Sequence, residues 1–138
     1  GPVHLIELMT KLTEGMYSNA VTFSQRGAIA AFRESLGQCG EMCREYQRRR
    51  DYVVSRLNNM PGIHCILPKG AFYVFANISG LSAEDFANRL VDQQHVAVVP
   101  GDNFGSGDGL HYIRISYAAS METIQAGMNR IEAFCKSL

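Results

Sequence analysis

The chain has 138 residues, the size of one domain with a single core, and 46% of them are apolar, which excludes a disordered polypeptide. Thirteen basic residues balance thirteen acidic ones for a net charge of zero. No overall field draws such a chain to nucleic acid or anionic lipid, so no nucleic-acid and no membrane partner is expected.

Pro2 suits the first position of a helix, and Leu5, Leu8, Met9, Leu12 and Met16 then recur at helical spacing, with Gly15 marking the end. This opening, "GPVHLIELMTKL", lacks the basic and apolar regions of a signal peptide. The polar joint "MYSNAVTFSQ" offers Ser18 or Asn19 as N-cap of a second helix, "AVTFSQRGAIAAFRESL", that stops near Gly37. A third helix, "CGEMCREYQRRRDYVVSRLNNM", carries Met42, Tyr46, Val53, Leu57 and Met60 on one stripe and is stopped by Pro61-Gly62. Within it Arg48-Arg49-Arg50 is the only basic run, and it reads as a solvated helix face rather than a binding patch.

Beyond Gly62 the texture changes. "IHCIL" and "AFYVFANI" are short β-type runs separated by the turn "PKG", and the adjacent apolar pair Val74-Phe75 predicts a strand covered on both faces. "SAEDFANRLVDQQ" is a helix with Ser82 as N-cap and a buried stripe of Ala83, Phe86, Ala87, Leu90 and Val91. "VAVVP" is a third strand, "GDNFGSGDG" a glycine-rich loop and "HYIRISYA" a fourth strand. Ser120 caps a last helix with Ile124, Met128, Ile131, Phe134 and Leu138 facing inward. The expected fold is α+β, a small, mainly antiparallel sheet of about four strands covered by helices and preceded by long helices, forming one domain over 1–138.

Most of the candidate chemistry falls away on inspection. Four cysteines occur, Cys39, Cys43, Cys65 and Cys135, with no C-x-x-C pair; they read as reduced, structural thiols in a cytoplasmic protein, and no metal site is expected. The glycine-rich loop contains Asp102, Asn103, Ser106 and Asp108 but lacks calcium-loop spacing, and it leads into a strand rather than a phosphate-cradling helix. It reads as a plain loop. His4, His64, His95 and His111 are scattered, and Ser116 and Ser120 have no histidine in a recognisable motif. Of the three lysines, Lys11, Lys69 and Lys136, only Lys69 lies beside strand ends, where a solvated turn residue is the expectation.

Arg114 is the exception. In "HYIRISYAAS" the apolar residues Ile113, Ile115 and Tyr117 alternate with Tyr112, Arg114 and Ser116, the period of a strand with unlike faces. A guanidinium on such a strand either lies on a wet face or is held out to grip an anion with two parallel hydrogen bonds, which lysine cannot copy. Alternation alone leaves both open.

The words around it are more specific. "PKGAFYVF", "SAEDFANRLVDQQHVAVVPGDNFG" and "GLHYIRISYAASMETIQAGMNRIEAF" together resemble the C-terminal small domain of the pyridoxal-phosphate-dependent aminotransferases of fold type I, class I/II, in the branch of aspartate and aromatic aminotransferases. "GPVHLIELMTKL" and "SNAVTFSQRGAIAAF" resemble the helices that follow the cofactor-binding segment of that family. The resemblance implies that Arg114 binds the α-carboxylate of an amino-acid substrate and, by a weaker correspondence, that Asn19 approaches the active site of a neighbouring subunit in a homodimer. Asn19 as a helix N-cap is the competing structural reading.

The resemblance also implies what this chain does not supply. The Schiff-base lysine, the aspartate at the pyridine nitrogen and the phosphate-binding residues belong to the large domain, which is expected to be absent here, and Lys69 does not occur in the Schiff-base context. The chain is therefore expected to hold no catalytic and no cofactor-binding residue, to bind no pyridoxal 5'-phosphate alone and to be inactive alone. Its parent would move an amino group between an amino acid and a 2-oxo acid. Two other classes stand beside this one: a stand-alone amino-acid-binding regulatory domain, and a structural interaction domain in which Arg114 pairs with an internal carboxylate.

Overall fold

The computed structural model describes residues 1–105 and 108–138, with only the backbone at Leu36 and Asp108. Ser106 and Gly107 of the glycine-rich loop lie outside the described residues. The chain forms two compact units, Gly1–Glu41 and Met42–Leu138.

The first unit holds α1 (Val3–Tyr17), α2 (Thr22–Glu34) and the start of α3 (Leu36–Asn58). Pro2 lies one position before the helix it was expected to begin, as its N-cap. Helix α1 also runs through Gly15, because one glycine costs only about 1 kcal/mol and its neighbours favour helix. It stops where Ser18 takes a positive φ of 58°. Neither Ser18 nor Asn19 caps α2; its N-cap is Val21, without a side-chain hydrogen bond. No residue of α1 or α2 is buried, so Leu5, Leu8, Met9, Leu12 and Met16 form an exposed apolar face. Helix α3 begins at Leu36, three residues before the expected start, and the turn to it from α2 is made by Ser35.

The second unit is built on four strands, β1 (Ile63–Cys65), β2 (Tyr73–Ile78), β3 (Val99–Pro100) and β4 (Tyr112–Ser116). They form one sheet in the order β1-β2-β4-β3, antiparallel throughout. Helix α4 (Ala83–Gln94) follows β2 and α5 (Met121–Cys135) follows β4. The expected caps are in place: Ser82 accepts from the Asp85 N–H and Ser120 from the Thr123 N–H.

One face of the sheet makes the core. Val74, Ala76, Ile78, Ile113, Ile115 and Tyr117 pack there against Val53, Leu57 and Met60 at the end of α3, Phe86 and Leu90 of α4, and Ile124, Met128, Ile131 and Phe134 of α5. Each large side chain fully buried here contributes about 1.5–3 kcal/mol. Met42, Val91 and Leu138, expected inside, are 59%, 42% and 54% exposed. Val91 lies in the last turn of α4, Leu138 beyond the end of α5, and Met42 at the first residue of the second unit, well ahead of Val53, where α3 enters the core.

The opposite face of the sheet corrects a second expectation. Strand β2 is not covered on both sides: Val74 is buried, but Phe75 is 42% exposed. Its ring stacks on Tyr112, at 5.0 Å between centroids and 7° between planes. The adjacent apolar pair therefore reflects one core residue and one member of an aromatic surface, not a strand buried twice.

The basic run of α3 is neutralised locally. Arg48 and Arg49 both bond Glu45, at 2.8 and 2.7 Å, and hold its carboxyl down to about 2; Arg50 pairs with Asp51 at 2.8 Å. Among the described residues, no helix is long and apolar enough to cross a membrane.

Candidate carboxylate-binding face

Pairing and alternation decide what lies on the open face. Tyr73 is opposite Ser116, Phe75 opposite Arg114 and Asn77 opposite Tyr112, while Val99 pairs with Arg114 from the other side. Arg114 thus occupies the middle of a ladder, flanked by β2 and β3, where the backbone allows it little latitude. It is partly buried.

Its guanidinium is flanked by two aromatic rings. The Arg114 Cζ lies 4.4 Å from the Tyr73 ring centroid and 4.5 Å from that of Phe104. These distances are those of cation–π contacts, worth about 0.5–1 kcal/mol each near the surface. Phe104 in turn meets Phe75 edge-on at 6.1 Å, with planes at 84°. Tyr112, Phe75 and Phe104 form a row of contacting rings, and Phe104 and Tyr73 both meet the Arg114 cation.

The polar edge of the guanidinium has no partner among the described residues. Among the described residues no carboxylate forms an ion pair with Arg114 and no acceptor takes a hydrogen bond from it, although five other ion pairs are present. Among the described residues no buried side-chain nitrogen is left without a partner, so the Arg114 donors are not sealed from solvent. Rings beside the cation and N–H groups without a partner among the described residues suit a planar, bidentate anion.

Two neighbouring features support this face. Asn77 donates from its side-chain amide to the His111 carbonyl at 3.2 Å, tying the start of β4 to β2. The Tyr117 hydroxyl donates to the Ala71 carbonyl at 2.8 Å and its N–H to the Phe72 carbonyl at 3.0 Å. Ala71 holds a positive φ of 62°, a conformation that costs a non-glycine residue about 1–2 kcal/mol. The turn just before Tyr73 is thus fixed by the residue that follows the strand carrying Arg114. Beside it lies a cavity of about 380 Å³ lined by Tyr46, Arg50, Lys69, Phe72 and Tyr117 among others, whose Arg50 is already engaged by Asp51 and the Pro68 carbonyl.

Asn19 belongs to the first unit. It is exposed at the bend between α1 and α2 and makes no hydrogen bond among the described residues. Since Val21 occupies the N-cap position, its amide is free of the structural duty expected of it. Lys11 and Lys69 are exposed, and Lys136 bonds Glu132 at 2.6 Å; none is a buried amine. Sequence reasoning singled out Arg114 as a candidate but did not foresee that register and the loop bring Tyr73, Phe75 and Phe104 to it from elsewhere in the chain.

The fold and this face define a two-layer α+β domain presenting an arginine from the open side of its sheet. The chain belongs to the family described as aminotransferase class I and II, which matches residues 2–131. It is 48% identical over 136 residues to an aspartate aminotransferase of Pyrococcus horikoshii, covering 95% of this chain and 34% of that protein. With an aromatic-amino-acid aminotransferase 2 of Thermococcus litoralis the identity is 41%, over 98% of this chain and 35% of the relative. The crystal structure of an aromatic aminotransferase from Pyrococcus horikoshii superposes with a TM-score of 0.91 at 40% identity, covering 99% of this chain and 37% of the other. The chain spans about a third of the length of the curated relatives it matches.

Proposed function

We propose that residues 1–138 serve as the C-terminal small domain of a pyridoxal-phosphate-dependent aminotransferase, and that Arg114 binds the α-carboxylate shared by its amino-acid and 2-oxo-acid substrates. The observation that carries this reading is the state of Arg114: fixed in mid-ladder, flanked by Tyr73 and Phe104 at 4.4 and 4.5 Å, and without an internal carboxylate among the described residues. That state also argues against a structural ion pair.

The cofactor, when bound, would act as the electron sink for the amino-group exchange. It would be held by parts of the protein outside residues 1–138, because none of the three lysines here is buried; on this reading the chain alone is inactive. What this chain contributes is orientation: a rigid arginine sets the position of the carboxylate and hence of the amino group attached to the same carbon. Asn19, exposed and free of capping duty, belongs to the same proposal as a contact across a homodimer. The exposed apolar face of α1 supports association. Free thiols, two of them exposed, support a reducing compartment such as the cytoplasm.

The test is Arg114→Lys in the full-length protein, with both half-reactions followed. Breaking a bidentate charge pair costs about 2–5 kcal/mol, of which lysine restores a part. Turnover is expected to fall by about ten- to a thousandfold for every amino acid alike. Activity retained within a few-fold would overturn the assignment.

A further inference from the structure

The glycine-rich loop, which read as a plain connection, has a specific geometry. After β3 the chain forms a short 3₁₀ turn, Gly101–Phe104, and a second, Asp108–His111, before entering β4. The two turns are pressed together. A Cβ added to Gly101 would lie 2.6 Å from the carbonyl oxygens of both Gly109 and Tyr112, and one added to Gly109 would lie 2.7 Å from the Gly101 carbonyl. These are backbone obstacles that no rotamer change relieves, so glycine is required at both places. Gly101 is buried although Phe104, three residues on, is 52% exposed. An exposed phenylalanine is held out from a tightly closed loop, and its ring ends on the Arg114 guanidinium at 4.5 Å.

Tyr73 comes to the same cation by a different route. It belongs to β2 and follows the turn that Tyr117 fastens through the carbonyls of Ala71 and Phe72. The two rings therefore reach Arg114 from independent supports, one a strand and one a loop. Both contacts limit where the guanidinium can swing, and among the described residues no acceptor takes its N–H groups.

We infer that Tyr73 and Phe104 are positioning residues for Arg114, and that the Gly101–Gly109 contact exists to aim Phe104 at it. The inference rests on the reading of Arg114 as a carboxylate clamp. It assigns the loop a function: it sets the affinity of the site for the carboxylate without touching the substrate's reacting atoms.

The test uses the full-length enzyme with Tyr73→Leu, Phe104→Leu, Tyr73→Phe and Gly101→Ala. Each leucine variant is expected to raise KM for amino acid and 2-oxo acid alike by about two- to fivefold, and the double variant by about five- to thirtyfold, with kcat little changed. The inhibition constant for butyrate, which offers a carboxylate and no amino group, is expected to rise in parallel. Tyr73→Phe keeps the ring and is expected to behave as wild type. Gly101→Ala is expected to match Phe104→Leu, and adding Phe104→Leu to it is expected to cause no further loss, since both remove one contact. Unchanged KM and butyrate inhibition in both leucine variants, a loss confined to kcat, or a Tyr73→Phe as poor as Tyr73→Leu would overturn the inference. Arg114→Lys in the same assays separates the two levels: a severe loss there beside normal leucine variants sinks only the role of the rings, whereas a normal Arg114→Lys sinks the clamp itself. Because Phe104 is exposed, its replacement leaves the core untouched and the test does not depend on Gly101→Ala folding.

Discussion

Tyr117→Phe removes a single oxygen from a side chain that is 1% exposed. The ring keeps its place in the core beside Tyr46, at 6.2 Å between centroids, and the Tyr117 N–H keeps its bond to Phe72. Only the 2.8 Å bond from the hydroxyl to the Ala71 carbonyl is lost. A neutral hydrogen bond contributes about 0.5–1.5 kcal/mol net, and the Ala71 carbonyl, on an exposed turn, recovers a water. The expected cost is about 1 kcal/mol, seen as a Tm lower by about 3 °C in thermal unfolding followed by circular dichroism. Tyr117→Ala, which also empties the core site, is expected to cost about 3–5 kcal/mol. Alkaline unfolding gives an independent signature. Burial raises the phenol above its ordinary 10.0, so the neutral form is favoured in the fold; that stability is complete below pH 10.0 and is lost as pH rises through the folded value. Wild type is expected to lose stability over that range by a component that Tyr117→Phe lacks. Equal losses in the Phe and Ala variants, or a Phe variant with wild-type Tm and wild-type alkaline behaviour, would refute the reasoning.

Alkylation of the native chain with iodoacetamide near neutral pH is expected to mark Cys39 and Cys43, which are exposed, and to spare Cys65 and Cys135, whose thiols burial pushes up, the latter to about 11; mass spectrometry showing prompt labelling of Cys135 would contradict this packing. Incubating the 138-residue chain with pyridoxal phosphate and reducing with borohydride is expected to leave no stoichiometric adduct on one lysine, and a single adduct on Lys69 would contradict the proposal that the cofactor is held outside residues 1–138. Asn19→Ala in the full-length protein is expected to leave Tm unchanged, since the residue caps no helix, while lowering kcat/KM by about fivefold, the worth of one hydrogen bond. Unaltered kinetics would remove Asn19 from the site.

Much of the second unit was legible because its signals are local. Ser82 and Ser120 announce their helices by hydroxyls that reach the N–H three residues on, and alternation along 112–117 separates Ile113, Ile115 and Tyr117 from Arg114. The aromatic face was not legible. Val74-Phe75 resembles any doubly covered strand until the register puts Phe75 opposite Arg114 and against Tyr112. Hydropathy scores a phenylalanine alike in a core and on an open sheet face. Phe104 was further out of reach, since nothing within the loop tells where its ring ends; the only clue was the loop's glycines, of which Gly101 and Gly109 are required by the close approach of Gly101 to Gly109 and Tyr112. In the first unit the helical period was plain, but the stop was not: Gly15 is tolerated, and the break comes at Ser18 through a backbone angle rather than a breaker residue.

The most direct measurement is a crystal structure of the full-length protein with a substrate-like carboxylic acid bound. Two carboxylate oxygens are expected at about 2.7–2.9 Å from two Arg114 nitrogens, with Tyr73 and Phe104 still on the guanidinium. A carboxylate gripped by another residue, with Arg114 turned away or paired to a protein side chain, would contradict the account.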